Sequence, residues 1–310
     1  DDQPPALAGT DLVPRLRELG EVLLYDTRPA NAAELVERLR GAHTAINIRS
    51  STRFTAEVLR ACPHLRHVAV YGVGVDNVDL DAARELGVAV TNTPGYSSVA
   101  VAEAAVALML AAVRRIPQND HTIRQGGWAR QAVGQLHGKT LGVVGAGPIG
   151  ARVAHLGRCL GMEVVAWTRH PSPERARALG VVFLPLDDLL RHADVVSLHL
   201  PLTEETTGLI GRRELGLMRP TAVLVNLARG PVVDEVALVE ALREGRLAAA
   251  ALDVFAVEPL PPGHPLTALD NVVLSPHNGS MTPEAQYAGL AMAVDNVANL
   301  LRGGPVHRVV

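Results

Sequence analysis

Lysine is almost absent from this chain: Lys139 is the only one, so 28 of the 29 basic residues are arginines. Amine chemistry such as a Schiff base would have to use Lys139, which sits where a strand-like run begins and has nothing obvious to activate it. There are only two cysteines, Cys62 and Cys159. They form neither a CxxC pair nor a disulfide framework, which suits a reducing compartment. Aromatics make up 3% of the residues, so the cores must be built from Ala, Val and Leu, and base-stacking platforms are not expected. Charge of one sign is also missing. A formal net charge of −3 gives little drive toward nucleic acid or an anionic membrane. No apolar run reaches the length of a membrane span, no charged-then-apolar leader opens the sequence, and no metal site is expected. These absences point to a cytoplasmic enzyme with neither a nucleic-acid nor a membrane partner.

What is present is 310 residues, 48% of them hydrophobic, enough for two domains with sizeable cores. Strand-like runs alternate with helix-period segments. The early strand candidates are Val22–Tyr25, Ala45–Ile48, Val68–Tyr71 and Val88–Thr91, with helices such as Asn31–Arg40 and Asp81–Leu86 between them. Val99–Arg115 is apolar almost all round, as a helix buried between two bodies would be. A second series follows, with strand candidates Leu141–Gly145, Val164–Trp167, Val195–Leu198, Ala222–Asn226, Ala248–Asp253 and Val272–Leu274. The last long helix runs from about Thr282 to Leu301. Such alternation predicts an α/β protein of parallel sheets flanked by helices.

Gly145-Ala-Gly147-Pro148-Ile149-Gly150 is a GxGxxG turn directly after a strand candidate, and it opens a helix. Gly145 permits the tight turn, Gly147 lets the backbone approach a pyrophosphate, and Gly150 allows close helix–strand packing. The helix N-terminus offers N–H groups and a positive dipole end to phosphates. After the next strand, where an NAD enzyme carries an acid for the ribose, the chain reads Thr168-Arg169-His170. Thr168 does not repel a 2′-phosphate and Arg169 could pair with one, so NADP(H) is expected in preference to NAD(H). The bland alternative is an arginine solvated at a strand end.

Three later strand candidates are followed by charged residues: Arg229, then Asp253 and Glu258, then His277. In a doubly wound sheet, ligands bind beyond the carboxyl ends of the strands. His277 could then protonate a ketone oxygen as hydride arrives at the carbon, with Glu258 on its other ring nitrogen. Arg229 could hold a carboxylate bidentately, and Asp253 could position the nicotinamide. Each residue alone could equally be an ordinary turn or surface residue. Their joint occurrence beside a dinucleotide turn favours the functional reading.

Together these segments resemble the D-2-hydroxyacid dehydrogenase family, in its phosphoglycerate dehydrogenase and glyoxylate/hydroxypyruvate reductase branches. The segments that carry the likeness include Gly72-Val-Gly74-Val-Asp76-Asn77, Asn92-Thr-Pro94-Gly95, His199-Leu-Pro201, Asn226-Leu-Ala-Arg229-Gly230, Glu258-Pro259 and Pro276-His277. The resemblance implies two Rossmann-like doubly wound domains. A discontinuous, flavodoxin-like substrate domain (1–98 and 280–310) would surround a dinucleotide-binding domain (99–279). It carries the catalytic roles onto Arg229, Glu258 and His277, and places Val101, Pro201, Thr206 and Asp253 near the cofactor. It gives the substrate carboxylate to the backbone around Val73 and Gly74, with Tyr71, Arg49 and Arg229 as further contacts. It also implies a homodimer, with Val99–Arg115 and the following arm near the interface. An arginine that the phosphoglycerate branch uses near the substrate phosphate would fall at Val70, which weakens that substrate and leaves small 2-keto acids. Glu258 stands where formate dehydrogenase relatives have Gln. The rivals are 3-phosphoglycerate oxidation and a nucleotide-sensing corepressor-like scaffold on the same fold.

Overall fold

The computed structural model describes every residue except 1, 3, 4, 49–51 and 305. Its elements in chain order begin with α1 (Leu12–Arg17), α2 (Ala32–Arg38), β1 (Thr44–Asn47), α3 (Ala56–Ala61), β2 (His67–Val70), α4 (Leu80–Leu86) and β3 (Ala89–Thr91). They continue through α5 (Ser98–Val113), α6 (Ile116–Arg124), β4 (Thr140–Val144), α7 (Pro148–Cys159), β5 (Glu163–Trp167), α8 (Pro173–Leu179), β6 (Val182–Phe183), α9 (Leu186–His192) and β7 (Val195–Leu198). The remainder are α10 (Arg212–Leu217), β8 (Val223–Asn226), α11 (Glu235–Arg243), β9 (Ala249–Leu252), β10 (Val272–Leu274) and α12 (Pro283–Arg302). The chain divides into two compact units, one of residues Asp1–Ser97 with Thr282–Val310 and one of Ser98–Met281.

The second unit holds a seven-stranded sheet in the order β10-β9-β8-β7-β4-β5-β6, parallel throughout. Counted from β4, this is the nucleotide-binding order 3-2-1-4-5-6 with one strand added, and the chain reverses direction across the sheet between β4 and β7. Burial on both faces explains why these strands are apolar without alternation. On β8, Leu224 faces a core layer shared with Leu198, Leu238 and Leu252, while Val223 and Val225 face the opposite layer with Leu141, Met109 and Val153. Each such side chain contributes roughly 1.5–3 kcal/mol by leaving water. The almost uniformly apolar helix α5 belongs to this unit, packing on α7, β8 and β9, with Ala102, Ala105 and Met109 fully covered.

The first unit has a three-stranded parallel sheet in the order β1-β2-β3. Capping places its helices, because the side chains of Asn31, Asp79 and Thr282 accept backbone N–H groups at the starts of α2, α4 and α12. Gly303, with φ +73°, ends α12 in the left-handed conformation that suits glycine. One expected strand is absent: Val22–Tyr25 joins no ladder. The segment is fastened instead to the N-terminal turn. The Asp2 N–H donates to the Tyr25 carbonyl at 2.8 Å, and the Asp2 carboxylate gathers the N–H groups of Ala6, Leu7 and Ala8. Leu23 is consequently 63% exposed, and a cavity of about 640 Å³ lies among Val22, Leu24, Tyr25, Ala45 and Ile46. Among the described residues no helix is long and apolar enough to cross a membrane.

Candidate active site

Because every strand of the large sheet runs the same way, the segments after β4, β5, β7, β8, β9 and β10 emerge at one edge. Gly145, with φ +103°, turns the chain sharply after β4, and a Cβ there would stand 2.3 Å from the His199 carbonyl oxygen. A Cβ on Gly150 would lie 1.9 Å from the Gly145 carbonyl oxygen, so α7 can begin this close to β4 only with glycine. Gly147 differs: a Cβ on it would meet no protein atom within 4 Å. Packing within the chain therefore requires Gly145 and Gly150, whereas Gly147 leaves open the approach to the N-terminal turn of α7. Pro148 occupies the first helical position, where its missing N–H costs nothing, and Ile149 follows half-buried. This cradle fits a pyrophosphate.

The segment after β5 holds Thr168, Arg169 and His170. Arg169 is ion-paired with Glu205, from the turn after β7. Thr206 is buried in that turn, its hydroxyl donating to the Pro201 carbonyl at 2.7 Å and accepting from the Thr203 N–H at 2.8 Å. Val101 is buried on α5. His199, between β7 and Pro201, has Nε2 2.8 Å from the Ser197 hydroxyl, and burial pushes its pKa down to about 4.

Beyond β8, β9 and β10 the charged residues assemble. The buried Asn226 amide donates to the Arg229 carbonyl at 3.1 Å and its oxygen accepts from the Ala228 N–H at 2.9 Å, which fixes the loop that presents Arg229. Gly230 lets that loop touch the next one, since a Cβ there would fall 1.9 Å from the Phe255 carbonyl carbon. Glu258 bonds in two directions: one carboxylate oxygen accepts from the Phe255 N–H at 3.0 Å and the other lies 2.7 Å from His277 Nδ1. Burial raises the Glu258 pKa, but the His277 bond and charge, the Phe255 N–H and the Arg229 charge outweigh it, so the carboxyl sits below its usual range. His277 adopts a left-handed backbone, φ +56°, uncommon outside glycine. Asp253, 3% exposed, holds the chain just beyond it by accepting from the Asn278 N–H at 2.9 Å and the Gly279 N–H at 2.8 Å. Both Asp253 oxygens are thus committed to the loop that carries His277.

Of the expected site residues, Glu258 and His277 are in contact, the Arg229 charge acts on Glu258, and Asp253 holds the loop just beyond His277, while the Gly-rich turn leaves the same end of the sheet. In the first unit, Tyr71 follows β2 with its ring 5.2 Å from that of Tyr96. Val73 is 45% exposed, and its carbonyl accepts from the Asn92 amide at 2.8 Å. Gly74 follows it in the same turn, while Arg49 lies outside the described residues. Sequence reasoning passed over Arg175 on α8, whose guanidinium reaches back to the Gly-rich turn, and Glu205; nothing in the spacing of either marks it. Cys62 and Cys159 are free thiols, and no metal-binding cluster occurs among the described residues.

A seven-stranded sheet in this order, with a Gly-rich turn at its point of reversal, defines a dinucleotide-binding domain. The family profile described as D-isomer specific 2-hydroxyacid dehydrogenase, NAD binding domain, matches residues 106–279. The chain is 48% identical over 260 residues to a glyoxylate reductase of Aeropyrum pernix, an alignment covering 81% of this chain and 78% of that one. It is 44% identical over 270 residues to a D-3-phosphoglycerate dehydrogenase of Archaeoglobus fulgidus, covering 86% of this chain and 51% of that longer protein. The solved structure of the TT0316 protein from Thermus thermophilus superposes with a TM-score of 0.90 at 44% identity, covering 97% of both chains. The chain belongs to the D-isomer-specific 2-hydroxyacid dehydrogenases.

Proposed function

We propose that the chain reduces a small 2-keto acid of the glyoxylate or hydroxypyruvate type with a preference for NADP(H). The observation that carries this reading is the 2.7 Å contact of His277 Nδ1 with Glu258, in the field of the Arg229 guanidinium. Bound reduced nicotinamide supplies the hydride for C2. Glu258, ionised and fixed by the Phe255 N–H, occupies Nδ1 of His277 and leaves Nε2 to give a proton to the keto oxygen. Arg229 holds the substrate carboxylate and polarises the adjacent carbonyl, while Asp253 and Asn226 keep the two loops in register. Gly145, Gly147, Pro148, Ile149 and Gly150 cradle the pyrophosphate, with Val101, Pro201 and Thr206 lining the dinucleotide. The uncharged Thr168, with Arg169 and His170 behind it, supports NADP(H) over NAD(H).

The likeness to the Aeropyrum glyoxylate reductase supports the substrate class. The apolar Val70 supports an unphosphorylated substrate. We assign the chain to the cytoplasm as a homodimer. Its free thiols suit the compartment. The dimer is supported by α6 and the segment after it, where Ile116, Ile123 and Trp128 are 55%, 57% and 80% exposed.

The test is oxidation of NADPH and NADH with a panel of 2-keto acids. Turnover of glyoxylate or hydroxypyruvate is expected, with higher kcat/KM for NADPH. No turnover with any keto acid overturns the reading, and a higher kcat/KM with NADH reverses the coenzyme preference. The Archaeoglobus relative supports a second reading, 3-phosphoglycerate oxidation with NAD, which faster turnover of that substrate would favour.

A further inference from the structure

We propose that Arg175, opposed by Glu205, sets how strongly the chain discriminates between coenzymes with and without a 2′-phosphate. The inference rests on the NADP(H) reading and assigns its specificity to residues other than the arginine at the strand end. Arg169 occupies the expected position after β5, but its guanidinium is ion-paired with Glu205. An incoming phosphate has to displace that carboxylate or do without Arg169, and the carboxylate repels it meanwhile.

Arg175 is held differently. Its Nη1 donates to the His170 carbonyl at 2.6 Å and lies 3.5 Å from the Thr168 hydroxyl, while Nη2 donates to the Ala146 carbonyl at 3.2 Å. Its guanidinium carbon stands 5.9 Å from the centre of the Phe183 ring. A cation is thereby fixed between the Gly-rich turn and the end of β5. In NAD-specific enzymes of this topology that is the place of the acid that binds the ribose hydroxyls. All of Arg175's hydrogen-bond partners are neutral oxygens. Among the described residues no carboxylate pairs with it, and the neighbouring Glu174 lies 3.6 Å from Arg177 instead. A guanidinium bonded only to carbonyl and hydroxyl oxygens keeps its charge uncompensated. Its fork matches a phosphate, and its orientation is already settled before any ligand arrives.

The experiment is titration of NADPH and of NADH into the full-length protein, followed by nicotinamide fluorescence, so that binding is read without turnover. Arg175→Ala should weaken NADPH roughly 10- to 100-fold, the worth of a lost charge-assisted hydrogen bond, while NADH affinity stays close to the wild-type value. Arg175→Lys should restore part of the loss. Glu205→Gln should tighten NADPH and leave NADH unchanged, and Arg169→Ala should weaken NADPH less than Arg175→Ala does. Equal weakening of both coenzymes by Arg175→Ala makes the residue a strut and overturns the proposal. Glu205 is largely exposed, so Glu205→Gln keeps the test informative where Arg175→Ala fails to fold; unchanged NADPH affinity in that variant also overturns the proposal. A wild-type preference for NADPH that survives Arg175→Ala removes this assignment alone. A wild-type protein that binds both coenzymes equally removes the NADP(H) preference itself.

Discussion

The two sheets are both built of parallel strands linked by helices, yet they differ in how much of the chain they organise. In the seven-stranded sheet, strand after strand hands a candidate site residue to the same edge: Gly145 after β4, Thr168 after β5, Arg229 after β8, Asp253 after β9 and His277 after β10. In the three-stranded sheet, Val22–Tyr25 stays outside the ladder and leaves Leu23 in solvent. The difference lies in how many strands bring loops to one shared edge, seven against three. In strands buried on both faces, a one-residue slip would exchange two core layers that are each close-packed, so repacking both at once holds the loops they carry in register. The small sheet is also buried on both faces, with Val68, Val70 and Val90 in one core layer and Ala69 in the other, but with only three strands it carries fewer loops to its edge.

That contrast can be tested by substitutions whose expected effects run from the large to the small. His277→Ala should lower kcat by roughly 100- to 10,000-fold, the usual worth of general acid catalysis, with coenzyme affinity unchanged. Near-normal turnover would remove His277 from the mechanism. Gly150→Ala should cost roughly 3 kcal/mol or more, since backbone atoms 1.9 Å away have nowhere to go. Gly147→Ala should leave stability intact and weaken coenzyme binding alone. Urea unfolding and fluorescence titration of the pair separate the two roles, and a stable Gly150→Ala variant would contradict the packing argument.

Acid should weaken both units. His67, on β2 beside the Thr91 hydroxyl, is pushed down to about 4 by burial and then by the Arg308 charge, and His199 is pushed to about 4 by burial. An unfolded imidazole takes up its proton near pH 6.5, but these do so only near 4. Their stabilisation is therefore complete above about pH 6.5 and is lost as the pH falls from there toward 4, by up to roughly 3 kcal/mol for each. His67→Gln should flatten the pH dependence of thermal unfolding by about half. A dependence unchanged in that variant would show that His67 is not responsible. Last in size, Leu23→Ser should shift stability by no more than about 0.5 kcal/mol, whereas Leu224→Ala at the centre of the large sheet should cost about 2–5 kcal/mol. Similar losses in the two variants would erase the distinction between the sheets.

The large sheet was legible residue by residue. Val195–Leu198 and Val272–Leu274 are strands over the ranges their sequence predicts, and the remaining strands of that series shift by one residue at an end or two. Their apolar runs are long and bounded by turns, so periodicity and punctuation agree. The two-residue strand β6 gave no such signal, being too short to carry a pattern. Val22–Tyr25 failed for the opposite reason. It has a strand's composition, but pairing needs a neighbour, and the Asp2 contacts draw its backbone elsewhere. At the candidate site, the residue types Arg229, Glu258 and His277 stood out because charged side chains just after apolar strands demand an explanation. The bond from Arg175 to the Ala146 carbonyl and the Arg169–Glu205 pair gave no such cue, because each joins segments far apart in sequence.

Composition and order along the chain determined the alternation of strand and helix, the Gly-rich turn and the acid, base and guanidinium available to the site, since these follow from local periodicity and from chemistry carried by single residues. Only the folded chain decided that Glu258 meets Nδ1 of His277, that Asp253 spends its carboxylate on the loop beyond it, and that Arg175 rather than Arg169 has no carboxylate partner among the described residues. Those outcomes depend on which loops a shared sheet edge brings within hydrogen-bonding distance, and no spacing along one strand encodes the position of another.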